Sequence, residues 1–248
     1  MSVESDFLEA FETHSPEDIR ASLAAGASPV ARIGGKRPTD ILIEMYTRSR
    51  RFADCLRLMM AAGADIGEPL LEAVLLDDDA ALRRVLAESP HDIGRKLYPW
   101  CAYTSCHGVT ALHLCAEFNS TRCATVLIDV GADIDSRADI DADGLGGQTP
   151  IFHAVNTNGN HCRPVMELLV DAGAALDIRL KGLVWGPGLE WETVLYDVTV
   201  FSYAQCGLIR QFQRPEADIY SNLGYLWRKR YGQEMPLRNV PNRYLFPS

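Results

Sequence analysis

The chain has 248 residues, 47% hydrophobic and 23% charged, an ordinary globular balance with enough length to bury a core. Its formal net charge of −9 repels a phosphate backbone and an anionic bilayer, which sets aside general nucleic-acid and membrane binding. No apolar run approaches the roughly 18 residues of a membrane span. The acidic start, Met1-Ser2-Val3-Glu4-Ser5-Asp6, lacks the features of a signal peptide. The seven scattered cysteines fit a reducing compartment, so a cytoplasmic protein is expected. Arg far outnumbers Lys and Ala is abundant, which points to a GC-rich, bacterial coding genome.

Two phrases recur along the chain. Amphipathic, Leu-rich runs at 19–25, 55–62, 123–130 and 165–172 are expected as helices. Each ends on a glycine phrase: Gly26-Ala27-Ser28, Gly63-Ala64-Asp65, Gly131-Ala132-Asp133 and Gly173-Ala174-Ala175. Glycine there suits the left-handed position that stops a helix. The second phrase opens the helix before. Its clearest copies are Thr110-Ala111-Leu112-His113-Leu114-Cys115-Ala116 and Thr149-Pro150-Ile151-Phe152-His153-Ala154-Val155. Weaker copies begin at Thr39, Glu68 and Thr199. Threonine caps a helix start, and proline at the first helical position forfeits no hydrogen bond. Thr110 stands 21 residues before Gly131, and Glu68 stands 21 before Ser89.

This pairing resembles the ankyrin family, with its Thr-Pro-Leu-His-x-Ala and Gly-Ala-Asp phrases about 33 residues per unit. The resemblance implies a single all-α domain over 1–248, a solenoid of five to six stacked helix pairs. The units are expected at about 3–35, 36–66, 67–105, 106–140, 145–180 and 195–230, the outer two degenerate as caps. It also implies capture of another protein on a concave face built from turn tips and first helices. His107, Val109, Leu145, Gln148, His153, Asn156 and Tyr203 fall at such positions.

Four segments interrupt the period. Glu68 and Thr110 lie 42 residues apart, about nine more than one unit, with the excess near 96–106. Residues 139–147 and 156–161 form two more interruptions. The largest, 178–197, is expected as a β-hairpin: one arm at 179–185, a Gly186-Pro187-Gly188 turn, and a returning arm at 189–196. Trp185 and Trp191 near its end are read either as interface anchors or as a cover for the end of the core, and Glu190 and Glu192 as polar selectors. Arg228-Lys229-Arg230 closes the last helix and opposes its dipole. Residues 231–248 are expected to be extended, with Tyr244, Leu245 and Phe246 available to dock.

Several segments invite chemical readings. Asp139-Ile140-Asp141-Ala142-Asp143-Gly144 matches the first half of a calcium loop, but Pro150 stands where the bidentate Glu belongs. Cys101, Cys106, His107, His113, Cys115 and Cys123 make a zinc-like cluster, yet His113 and Cys115 occupy scaffold positions of the repeat. No phosphate loop, His-Glu-x-x-His or Gly-x-Ser-x-Gly is present. The expectation is therefore a protein-binding module (an adaptor, inhibitor or immunity-type protein) with no cofactor, no metal and no catalytic residue. The alternative is an enzyme or metal-binding protein whose site is built on the inserted loops.

Overall fold

Most helices of this chain start on a cap or a proline, and several stop on a glycine. The computed structural model describes residues 3–101, 104–206 and 214–236. Ala102, Tyr103, Tyr244, Leu245 and Phe246, and with them the expected docking tail, lie outside the described residues.

The helices come in consecutive pairs: α1 (Val3–Glu12) with α2 (Pro16–Ala24), α3 (Pro38–Glu44) with α4 (Phe52–Ala61), and α5 (Pro69–Leu75) with α6 (Asp79–Glu88). Then come α7 (Ala111–Phe118) with α8 (Thr121–Asp129), α9 (Pro150–Val155) with α10 (Arg163–Asp171), and α11 (Val200–Ala204) with α12 (Glu216–Tyr231). Proline opens α2, α3, α5 and α9, where its missing N–H costs nothing. Ser15, Glu68, Asp78 and Thr199 accept backbone N–H groups at the starts of α2, α5, α6 and α11. Among the first helices of the pairs, α5 packs on α7, α7 on α9 and α9 on α11. Among the second, α2 packs on α4, α6 on α8, α8 on α10 and α10 on α12. One continuous apolar core runs from Phe7 and Phe11 to Leu223 and Leu226. Among the described residues, no helix is long and apolar enough to cross a membrane.

The ends of α2, α4, α8 and α10 are built alike. Past α8, the Gly131 N–H donates to Ile128 O at 3.0 Å and the Ala132 N–H to Leu127 O at 2.8 Å. Past α10, Gly173 donates to Val170 O at 3.1 Å and Ala174 to Leu169 O at 2.9 Å. This is the crossed pair of bonds that satisfies the last carbonyls of a helix, and it needs a left-handed residue. Gly131 and Gly173 supply it at φ +87° and +99°. A Cβ at either would meet nothing within 4 Å, so only the backbone resists a side chain there. Gly131→Val and Gly173→Val are each expected to destabilise by about 1–3 kcal/mol, read as a lower urea midpoint at unchanged slope. An unshifted midpoint would contradict the cap.

The β-structure is small. Strands β1 (Arg179–Trp185) and β2 (Thr193–Thr199) pair antiparallel, with Leu180 opposite Val198 and Trp185 opposite Thr193. The first arm lies where the sequence places it. The second begins later than expected, because residues 186–192 form two tight turns, with Leu189 N–H to Gly186 O and Glu192 N–H to Leu189 O. The Trp191 ring lies over Gly186, where a Cβ would sit 2.4 Å from it. β2 then runs on to Thr199, which caps α11 directly.

Candidate functional site

The connections between helix pairs project as fingers. Antiparallel bridges join Ile33 to Lys36, Leu97 to Val109 and Ile140 to Gly146, and the β1–β2 hairpin is the longest finger. The last three are laced together by their backbones. The Asp139 N–H donates to His107 O at 3.1 Å, and the Gly146 N–H donates to Gly182 O at 2.8 Å. Lysines add to the lacing: Lys96 reaches Gly108 O at 2.7 Å and also Arg137 O, and Lys181 reaches Asp143 O. Contact between fingers is close enough that a Cβ on Gly108 (φ +65°) would stand 2.0 Å from Asp139 Cγ.

Large apolar side chains are exposed along this row. Tyr98 is 58% exposed, Ile140 62%, Trp191 45% and Tyr196 72%. The Tyr98 ring meets His107 edge-on at 4.8 Å, and Lys36 Nζ stands 5.6 Å from the centroid of Trp100. His107, Glu190 and Glu192 are also exposed, and Glu192 accepts the Gly188 N–H at 2.7 Å.

Beside Thr104 and Cys106 lies a different kind of site. α7 is buried along its whole length, and it carries one carboxylate, Glu117. That carboxylate bridges two partners: Arg48 Nε at 2.9 Å from Oε1 and His153 Nδ1 at 3.0 Å from Oε2. Arg48 comes from the connection between α3 and α4, and its guanidinium also lies 4.5 Å from the Phe118 ring centroid. Burial alone would push the Glu117 carboxyl up, but the Arg48 charge and the His153 contact outweigh it and hold the carboxyl below its ordinary range. Burial likewise works against the Arg48 charge, and Glu117 more than compensates. Cys106 joins the cluster: its Sγ, a Glu117 oxygen and a His153 ring nitrogen all lie within 4.8 Å of one another. Burial pushes the Cys106 thiol well above its usual range. Alongside, the Trp185 Nε1–H donates to the Tyr203 hydroxyl at 2.7 Å, and Thr104 shares that hydroxyl.

The structure divides the residues expected to meet a partner. His107, Glu190, Trp191 and Glu192 are presented on the fingers. Trp185, Gln148, His153 and Tyr203 are not: all four are buried, Trp185 and Thr104 meeting the Tyr203 hydroxyl and Gln148 donating to Ser105 O. Of the two readings of Trp185, an interface anchor or a cover for the core, its burial fits the second. Asn156 is half-buried and accepts Arg214 Nη1 at 2.9 Å. Of the other concave-face candidates, Val109 and Leu145 are buried too.

The calcium-like segment closes on itself. Asp141 Oδ1 accepts the N–H groups of Asp143 and Leu145 at 2.9 and 2.8 Å, and Gly144 completes the turn at Asp141 O. His113 is committed to scaffolding: its Nδ1 accepts the Thr110 N–H at 3.1 Å and its Nε2 lies 3.1 Å from Gln148 O. Burial, chiefly, and the neighbouring His153 hold it well below its usual pKa.

Residues 107–139 match the family profile described as Ankyrin repeat. This stretch of the chain is an ankyrin repeat. The repeat starts on one finger and ends on the next, and the bond from Asp139 N–H to His107 O joins its last residue to its first. Its two helices are α7 and α8, so Glu117 belongs to the ankyrin repeat, whereas Arg48, Cys106 and His153 flank it. Comparison with curated proteins gives no match for the chain. Sequence reasoning passed over Arg48 and Glu117. The signal was present in Glu117, a charge in the helix of an ankyrin repeat whose other residues are Ala, Leu, His, Cys and Phe.

Proposed function

We propose that this chain is a protein-capture module, an adaptor, inhibitor or immunity-type protein acting in a bacterial cytoplasm, that grips its partner with the laced finger row. On this reading the six helix pairs are six ankyrin-type units stacked as a solenoid, and the fingers are their enlarged turn tips. The observation that carries the reading is the row itself: Tyr98, Ile140, Trp191 and Tyr196 are exposed on neighbouring fingers tied by backbone hydrogen bonds. Aromatic side chains held on a rigid frame supply contact area at little cost in ordering. His107, Glu190 and Glu192 supply polar contacts at its edges.

The test is affinity capture from the native host with mass spectrometry, followed by Trp191→Ala. Trp191 borders solvent and packs on Gly186 at the hairpin tip, so the melting temperature is expected to change little. Partner affinity is expected to fall by about 2 kcal/mol, roughly thirtyfold. Undiminished capture after Trp191→Ala and Tyr98→Ala together would overturn the assignment of the surface.

A further inference from the structure

The hairpin leaves one strand edge open. On β1 the Gly182 carbonyl accepts the Gly146 N–H at 2.8 Å, so it points away from β2. Gly182 stands opposite Tyr196. In an antiparallel ladder, opposed residues alternate between pairs that exchange both backbone bonds and pairs whose N–H and C=O point outward. Gly182 and Tyr196 are therefore an outward pair, and so are Val184 and Val194, two residues along. Leu183 and Leu195, between them, turn inward: the Leu195 carbonyl oxygen comes within 2.8 Å of where a Cβ on Gly182 would stand. On β2 the backbone N–H and C=O groups of Val194 and Tyr196 thus face away from β1. Among the described residues, no hydrogen bond reaches them.

Native edge strands are blunted by charge, proline or a kink. Here such devices flank the edge and do not occupy it. Glu190 and Glu192 precede it, and Asp197, at φ +59°, interrupts the extended backbone after it. Between them Val194, Leu195 and Tyr196 are uncharged, strand-favouring residues, and Tyr196 is 72% exposed. Two donors and two acceptors, repeating every second residue, match the backbone of another extended segment. A helix keeps its own backbone groups bonded internally.

Charge selects among extended segments. Glu190 and Glu192 are exposed and form no ion pair among the described residues. A second copy of β2 would bring the same carboxylates on a chain of net charge −9, which opposes pairing of two hairpins. A strand carrying Lys or Arg meets no such repulsion.

We propose that the free edge of β2 receives an extended, basic segment of the captured protein as a third strand. Val194 and Tyr196 supply the backbone bonds, and Glu190 and Glu192 hold the basic side chains. This rests on the protein-capture reading and names the form of the segment that is gripped.

The probe is a capped, fluorescently labelled hexapeptide with Lys at each end and Thr alternating with Val and Tyr between them. It is titrated into the full wild-type chain and read by anisotropy, and saturable binding is expected. N-methylation at alternate residues blocks one edge of the probe at a time. One N-methyl series is expected to lose about tenfold or more in affinity, and the other to bind like the parent. Glu in place of the probe's Lys is expected to weaken binding by a similar factor. Val194→Pro removes an outward N–H and spares the β1–β2 bonds, so it is expected to melt near the wild type and to bind the probe about tenfold more weakly. The N-methyl comparison uses the wild-type chain and decides the matter even where Val194→Pro fails to fold. A probe that does not bind, or two N-methyl series that bind alike, would overturn the proposal. So would a wild-type dimer that is lost in Val194→Pro, which would give the edge to a second copy. The probe replaces the native partner, so a failed capture from the host leaves this result standing, and a failed probe leaves the finger grip to Trp191→Ala.

Discussion

Glu117→Gln is expected to destabilise the protein by about 3–5 kcal/mol, because it leaves the buried Arg48 guanidinium without its counter-charge. The two side chains are each only 8% exposed, so water does not screen the loss. Gln keeps the volume and can still accept from Arg48 Nε, which isolates the charge from the packing. His153 Nδ1 loses a carboxylate partner in the same step, and a buried unsatisfied donor adds to the cost. The measurement is the urea midpoint of wild type, Glu117→Gln and the double variant Arg48→Met, Glu117→Leu. The double variant is expected to recover most of the loss, since apolar groups of similar volume need no partner. If Glu117→Gln unfolds at the wild-type midpoint, the pair is not buried as described.

Trp185→Ala is expected to cost a similar amount, about 3–5 kcal/mol, and to lower the melting temperature by roughly 10 °C or more. Its indole is 5% exposed, meets the Tyr203 ring edge-on at 6.0 Å and donates to the Tyr203 hydroxyl. Truncation opens a cavity between the hairpin and α11 and takes one of two partners from a fully buried phenol. Trp191, six residues on in the same hairpin, is the built-in control: Trp191→Ala is expected to melt near the wild-type temperature. A Trp185→Ala protein that melts with the wild type would show that the hairpin does not lie on the core.

The helices and their ends were largely legible in the sequence, and the contents of the interior were not. Local chemistry explains the first half. Pro69, Thr199, Gly131 and Gly173 act on their own backbone neighbours, so a glycine phrase at the end of an amphipathic run suffices to read a helix stop. The strand at 179–185 was readable for the same reason. Its partner was placed too early because Leu189 to Glu192 alternate like a strand while Gly186 and Gly188 drive a wider turn. Which way Trp185 and Trp191 point depends on how the hairpin lies on α11, a long-range matter with no local signature. The buried Glu117 cluster shows the same limit. Adjacency in sequence grouped Cys106 with His107 and His113, whereas folding sends His107 to the surface and His113 to Thr110, and brings in Glu117 and His153.

The Arg48–Glu117 bond also joins parts of the chain that a simple stack would keep apart. The residues are 69 apart in sequence, and the whole α5–α6 pair lies between them along the chain. Phe52 of α4 repeats the connection by meeting Phe118 of α7, ring centroids 4.8 Å apart. A stack in which each pair touches only the next can fray from an end, one pair at a time, with a stability that is the sum of neighbour terms. Here the second pair is tied directly to the fourth. Losing α3 and α4 therefore strips Glu117 of α7 of its counter-charge and Phe118 of an aromatic neighbour, so the second to fourth pairs are expected to melt as one cooperative block rather than in sequence.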